Sequence, residues 1–277
     1  MKEKKNVIKH LNCWAEERGI ETEDDYVKVL ENNLFSELDP LTKHDFESAS
    51  GSELKAKEGE KPKAYALHSS SMLAVNVFDY WRKKDKEAMA KALKIDSIRH
   101  FWFEQKLTMG MGGAPPNLDL FIIKNNGFAV AIESKFTEWM SKHSKSEPFA
   151  KSYFEDERKR WEEVGLPNAQ KLAQKIAHDN EKFHYLNAPQ LLKHALGLAN
   201  THSSRSQLIY LFYDLEKESE VSKKHHAEIS KFRDMLGDEL QFHSMTYQEF
   251  IKRLNSNFKT KHNEYFDYLN RRYNLTL

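Results

Sequence analysis

Two carboxylates and one ammonium group stand at the ends of two short apolar runs, and a metal-dependent hydrolase needs these residue types. Asp119 opens the run LDLFIIK, whereas Glu133 and Lys135 close the run FAVAIESKF with one residue between them. Carboxylate oxygens favour Mg²⁺ or Mn²⁺. A divalent ion lowers the pKa of a bound water, so that the hydroxide can attack phosphorus. If both runs are strands of one sheet, the trio suits hydrolysis of a phosphodiester.

The two runs are joined by a strong tight-turn signal. Asn125-Asn126-Gly127 lies between them, and Asn-Gly favours a two-residue hairpin loop. Both runs are rich in Phe, Ile and Val and are too short for helices. We therefore expect residues 118–124 and 128–136 to pair as an antiparallel hairpin.

This hairpin sets where the three charges meet. Asp119 lies seven residues before Asn126, and Glu133 lies seven residues after it. The two acids should therefore be opposite each other, where Cβ atoms approach within about 5 Å. Side chains alternate across a strand, so Lys135 shares the face of Glu133. One metal ion can bridge two carboxylates at such a distance.

The alternative is that these three charged side chains have no catalytic or metal-binding role. An acid at the end of a strand is usually solvated or paired with a nearby lysine, and Glu133 with Lys135 would by itself be a weak signal. Their position favours a function, because three charges at the ends of apolar strands would be costly to bury without a purpose.

Hydrophobic spacing predicts the remaining elements. Ser69–Ser71 can cap a helix that continues with Met72. Predicted strands cover about 98–107, 118–124, 128–136 and 206–215, and helical patterning covers 5–48, 148–200 and most of the chain from 222. The order is helix, three strands, helix, strand. We expect an α/β fold with a mixed four-stranded sheet flanked by helices, as one domain over 1–277.

Composition narrows the class of protein. The 277 residues are 39% hydrophobic, which is enough for a core, and they include one cysteine, Cys13. No internal disulfide and no thiolate zinc cluster can form, which favours the cytoplasm. No run approaches the roughly 18 apolar residues of a membrane span. The net charge of +1 neither supports nor excludes a nucleic-acid substrate.

At these residues the chain resembles the PD-(D/E)XK nuclease superfamily. Pro116-Asn117-Leu118-Asp119 resembles the P-x-D half of its motif with the Asp displaced by one position, and Glu133-Ser134-Lys135 matches the (D/E)-x-K half. The segments HSSSMLAVNVFDYW and ESKFTEW resemble sequences of a restriction-endonuclease-like bacterial subgroup. The resemblance covers about 68–215 and implies a restriction-endonuclease-like αβββαβ core. The segments 1–60 and 220–277 are then helical extensions.

The resemblance implies roles for the trio. Asp119 and Glu133 would bind the metal, and Lys135 would help to activate water. Glu104, on the first predicted strand, is the best candidate for the additional acid that many family members carry and for a third metal ligand.

A weaker likeness concerns the helix after the third strand. Gln190 and His194 resemble the Q-x-x-x-Y element of some members, with His in place of Tyr. Gln190 is therefore a candidate nucleic-acid contact. His194 can face the site one turn later, although a core or surface position is the commoner role for such a histidine.

These observations together predict a Mg²⁺-dependent endonuclease that hydrolyses the phosphodiester bonds of DNA, as a restriction or defence enzyme. Cleavage of both strands would favour a homodimer, and no membrane association is expected. Two alternatives stay open at this point. One is an inactive nuclease-fold module for nucleic-acid binding or assembly, and the other is an unrelated core in which the three charges form a structural ion pair.

Overall fold

A five-stranded mixed sheet forms the centre of the structure, a computed structural model. It describes residues 2–49, 53–55, 60–112, 115–142, 148–203, 205–215, 217–258 and 261–275, so parts of the predicted extensions 1–60 and 220–277 lie outside the described residues. The strands are β1 (Thr22–Glu23), β2 (Tyr26–Val27), β3 (His100–Lys106), β4 (Asn117–Ile123), β5 (Ala129–Lys135), β6 (Ser206–Phe212) and β7 (Gln241–Thr246).

Helices cover the sheet. They are α1 (Lys2–Glu17), α2 (Pro40–Ser48), α3 (Ser70–Phe78), α4 (Lys86–Leu93), α5 (Arg160–Glu163), α6 (Pro167–Ala177), α7 (Ala188–His202), α8 (Glu220–Leu236), α9 (Tyr247–Ser256) and α10 (Asn263–Tyr273). Short 3₁₀ helices span Leu30–Asn33, Lys63–Tyr65, Asp79–Lys83, Glu138–Met140, Lys151–Tyr153, Glu155–Glu157 and Gly237–Glu239. Ser69 caps α3 as expected, because its hydroxyl accepts the N–H of Met72 at 3.3 Å.

The sheet order is β3-β4-β5-β6-β7. β3, β4 and β5 are antiparallel neighbours, whereas β5, β6 and β7 are parallel, so the sheet is mixed as the sequence predicts. The predicted hairpin is confirmed. Its turn is closed by the N–H of Gly127, which donates to the carbonyl of Lys124 at 2.9 Å. Gly127 has a φ of +77°, a conformation that glycine adopts without steric cost.

The prediction of four strands is wrong, because β7 is a fifth strand in a segment that the spacing assigned to helix. The strand QFHSMT has few apolar residues, and Gln241 and His243 are exposed. β7 is the edge strand beside β6, so its backbone is paired along one side only. Its identity depends on pairing with β6 and not on its own hydrophobic pattern.

The N-terminal extension is not wholly helical either. Between α1 and α2, β1 and β2 form a small antiparallel ribbon. The turn residues Asp24 and Asp25 have φ of +53° and +67°, which matches the left-handed turn that connects two-residue hairpins. Aspartate tolerates this conformation better than most residues do.

Neighbouring side chains on β5 identify the two layers of helices. Glu133 contacts His194 of α7, whereas Ser134 contacts Tyr247 of α9. Because side chains alternate along a strand, α7 and α9 cover opposite faces of the sheet. The active-site candidates therefore lie on the α7 face.

The terminal helices pack against the rest of the structure. The guanidinium of Arg272 on α10 is fully buried and donates to the carbonyl of Asn33 at 2.8 Å. The hydroxyl of Tyr265 donates to the carbonyl of Val77 at 2.7 Å. Buried side chains from Val7 on α1 and from the sheet belong to one hydrophobic cluster. No described helix is long and apolar enough to cross a membrane.

Candidate active site

Three carboxylates stand in one row across three adjacent strands. Glu104 on β3 and Asp119 on β4 are at aligned positions, because the ladder is in register on both sides of them. The β4–β5 ladder ends with the pair Leu120 and Ile132. Asp119 on β4 and Glu133 on β5 are the next residues beyond that pair, so they face each other. The structure thus brings together the three acids that the sequence singled out. We call Glu104, Asp119 and Glu133 the carboxylate row.

The side chain of Asp119 accepts a hydrogen bond from β5 just beyond the end of the β4–β5 ladder. Its Oδ2 accepts the backbone N–H of Ser134 at 2.7 Å. A buried strand N–H needs an acceptor, and here a side chain supplies it in place of the neighbouring backbone. This bond ties Asp119 to β5 beside Glu133.

Glu133 is the most enclosed member of the row, with 1% of its surface exposed. Its Oε1 accepts from the ammonium of Lys135, and its Oε2 accepts from Nε2 of His194 at 2.7 Å. Burial alone would raise the pKa of Glu133, but Lys135 and His194 lower it to about 2. Glu133 is therefore a carboxylate at neutral pH, as a metal ligand must be.

The other two acids have the opposite shift. Burial raises the pKa of Asp119 well above its ordinary value, and the charge of Glu133 raises it further. Burial also raises the pKa of Glu104 to about 7, and repulsion from Glu53 and Glu133 adds to the effect. Burial would lower the pKa of Lys135, but Glu133 and Asp119 raise it, so this ammonium stays charged. Perturbed groups of this kind concentrate at functional sites.

Glu104 also has an unusual backbone. Its φ is +51°, in the left-handed region that non-glycine residues seldom occupy. Its Oε2 accepts from Nδ2 of Asn117 at 2.7 Å. Strained backbone at a buried acid is typical of residues that are positioned for a function. Asn117 was not recognised as a site residue from the sequence, although it lies two residues before Asp119.

A family model described as Restriction Endonuclease associating with ARP, REase-ARP, matches residues 1–274. The chain belongs to this family. The match supports a restriction-endonuclease-like nuclease fold and includes both terminal segments, which the motif resemblance left out. Neither the curated proteins nor the solved structures gave a match.

The donor set of this REase-ARP member suits a divalent cation. The row has three carboxylates, and the ammonium group of Lys135 donates a hydrogen bond to one of them, Glu133. Burial is the main cause of the raised pKa values of Asp119 and Glu104, and repulsion from Glu133 adds to both; a cation bound at the row would relieve that repulsion. Within the described residues, no three His, Cys, Asp or Glu side chains are arranged to hold an ion together. Mg²⁺ is commonly bound by one or two carboxylates and several waters, so Asp119 and Glu133 would suffice to hold it without a third side-chain ligand.

In this REase-ARP member, Gln190 and His194 occupy different places relative to the carboxylate row. His194 is buried, with 2% of its surface exposed, and its Nε2 contacts Glu133, so it lies in the core and also faces the site. Its spacing four residues after Gln190 was the available signal. Gln190 lies in the first turn of α7, and its Oε1 accepts from Nδ2 of Asn187 at 3.0 Å. It lines a cavity beside the row.

Proposed function

We propose that this chain is a Mg²⁺-dependent endonuclease of the PD-(D/E)XK type that hydrolyses phosphodiester bonds of DNA. The observation that carries the proposal is the carboxylate row, with Lys135 bonded to Glu133 at the end of β5. Membership of a family described as restriction endonucleases supports a nuclease acting in restriction or defence.

In this proposal each side chain has a definite task. Asp119 and Glu133 hold Mg²⁺ or Mn²⁺, and Glu104 is the third acid of the row. When bound, the ion supplies a Lewis acid that lowers the pKa of water beside the phosphate. Lys135 orients the attacking water and neutralises charge that develops on the phosphate. His194 is a positioning residue, since its bond to Glu133 keeps that carboxylate ionised and fixed.

One observation favours a second candidate, an inactive nuclease-fold module that binds nucleic acid or assembles with partners. Both carboxylate oxygens of Glu133 already accept hydrogen bonds, from Lys135 and His194. A metal ion would have to share these oxygens. Calorimetry with Mn²⁺ separates the candidates: binding that disappears in Asp119→Asn supports the nuclease, and the absence of binding supports the module.

The direct test is cleavage of plasmid DNA by purified protein with Mg²⁺. We expect Asp119→Asn and Lys135→Ala to lower the rate by about 10²–10⁴-fold, as the loss of a proton-transfer or charge-stabilising group does. Lys171→Ala on α6, an exposed lysine, is the matched control and should cleave as the wild type does. Circular dichroism confirms that each variant is folded. Undiminished cleavage by both site variants would contradict the proposal.

The oligomeric state is tested on the same material. Cleavage of both strands by one-site subunits favours a homodimer, so sedimentation analysis with a short duplex should give a complex of two chains and one DNA molecule. A monomer that nonetheless linearises plasmid in one step would refute this part of the proposal.

A further inference from the structure

A cavity of about 760 Å³ opens beside the carboxylate row. Pro116 lies on its wall, next to Asn117, whose amide donates to Glu104. Gln190 also lies on its wall, one helical turn before His194, which contacts Glu133. One turn of helix spans about 5 Å, so the cavity adjoins the place where the scissile phosphate would be bound.

The lining combines a ring with amide groups. Phe183 supplies an aromatic face, and Asn187 and Gln190 supply side-chain amides. Aromatic rings stack on nucleobases, and amides form hydrogen bonds with base edges. Among the described residues, the NH₂ group of Gln190 has no hydrogen-bond partner, whereas its Oε1 is held by Asn187. The cavity therefore offers a stacking surface next to an oriented donor.

Charged residues also line the cavity. Lys182 and Lys193 lie on its wall together with Asp179 and Glu181. Lys182 pairs with Asp179 at 2.9 Å, whereas Glu181 pairs with Lys231 of α8 at 2.6 Å. The preference for a nucleobase therefore comes from the aromatic ring and the amides, and not from the charges on the wall.

The irregular segment that forms the wall is firmly held. The carboxylate of Glu228 on α8 accepts three consecutive backbone N–H groups, from His184, Tyr185 and Leu186, each at 2.8 Å. Phe183 packs edge-on against Phe232 with ring centroids 6.2 Å apart. Because the wall is ordered before a ligand binds, binding does not carry the entropic cost of ordering this segment.

We propose that this cavity receives one unpaired nucleobase of the nucleic-acid substrate, with the adjoining phosphodiester at the carboxylate row. The base stacks on Phe183 and accepts a hydrogen bond from the amide of Gln190. The volume lies in the range of about 300–1,000 Å³ that is usual for ligand sites. This inference rests on the proposed function. It further specifies the substrate, because single strands, mismatches and bulges present an unpaired base at the lowest energetic cost.

Binding is measured in EDTA by fluorescence anisotropy, so that cleavage does not enter. The probes are a single-stranded oligonucleotide, its perfect duplex, and the same duplex with one unpaired 2-aminopurine. We expect wild-type protein to bind the two unpaired probes more tightly than the perfect duplex. Phe183→Ala should weaken that binding by about tenfold, as the loss of one stacked base contact does. Gln190→Ala should weaken it by about fivefold, as the loss of one hydrogen bond does.

Gln174→Ala is the matched control, since this α6 glutamine does not line the cavity, and it should bind as the wild type does. If Phe183→Ala does not fold, Gln190→Ala and the wild-type signal decide: stacking on Phe183 should quench 2-aminopurine fluorescence. Equal affinity of the wild type for paired and unpaired probes, no binding of either, or unchanged affinity in Gln190→Ala overturns the proposal. Failure of the proposed function would instead appear as Mg²⁺-dependent cleavage that survives Lys135→Ala, whatever the anisotropy shows.

Discussion

Replacing Glu104 by glutamine tests whether the carboxylate row is kept at an electrostatic cost. Glu104 is 8% exposed, and its pKa is raised from 4.5 to about 7, first by burial and then by repulsion from Glu53 and Glu133. A shift of this size corresponds to about 3 kcal/mol of destabilisation once the group is ionised. Glutamine keeps the backbone conformation and retains an oxygen for the amide of Asn117, so the charge is the main thing removed.

The sign of the effect follows from the order of deprotonation. The unfolded chain loses the Glu104 proton near pH 4.5, whereas the folded chain holds it until about pH 7. The wild type therefore loses stability as the pH rises through this window, and below it the penalty vanishes. Glu104→Gln should exceed the wild type in free energy of unfolding by about 1 kcal/mol at pH 5 and about 3 kcal/mol at pH 8.

Urea denaturation at pH 5 and pH 8 in EDTA measures these differences. Glu16→Gln, an exposed position on α1, is the control and should show neither the gain nor its pH dependence. Adding Mg²⁺ at pH 8 should stabilise the wild type more than Glu104→Gln, because a cation relieves the repulsion that the variant lacks. A variant no more stable than the wild type at pH 8, or a gain that does not change with pH, would refute the reasoning.

Three further substitutions separate the roles of buried polar groups. His194→Ala removes a charge-assisted bond from Glu133 and should lower the free energy of unfolding by about 2 kcal/mol and slow plasmid cleavage; normal cleavage would contradict its positioning role. Tyr247→Phe breaks the 2.6 Å bond to Ser134 and should cost about 1 kcal/mol with cleavage unchanged, since it lies on the opposite face; a large loss of activity would oppose this. Arg272→Leu strands several buried acceptors and should cost about 3 kcal/mol in urea denaturation, whereas near-wild-type stability would show that α10 contributes little.

The central hairpin was predictable because its determinants are local. The turn at 125–127 needs glycine at positive φ, and the position of this turn sets the register of the two apolar runs that flank it. Asp119 and Glu133 are opposite because they are equally far from that turn. Lys135 contacts Glu133 because two residues along a strand return to the same face.

The residues that surround Asp119, Glu133 and Lys135 belong to other elements, and sequence spacing does not show which of them contact the site. The sequence allows His194 either a place facing the site or the commoner core or surface position, and the packing of α7 on β5 brings its ring to Glu133. Gln190, the stronger candidate by resemblance, instead bonds to Asn187 and lines the neighbouring cavity. The sequence does not predict β7 for the same reason, since its pairing partner β6 is distant in the chain: Gln241 pairs with Gln207.

By itself the sequence determined the α/β class, the hairpin and the facing of Asp119, Glu133 and Lys135, because turn chemistry and strand alternation act over a few residues. Tertiary structure decided what surrounds them. The alignment of β3 puts Glu104 in the row, where burial raises its pKa, and the packing of α7 brings His194 to Glu133, whose pKa it lowers together with Lys135. Burial and the contact with His194 depend on packing between elements distant in the chain, which no local pattern encodes.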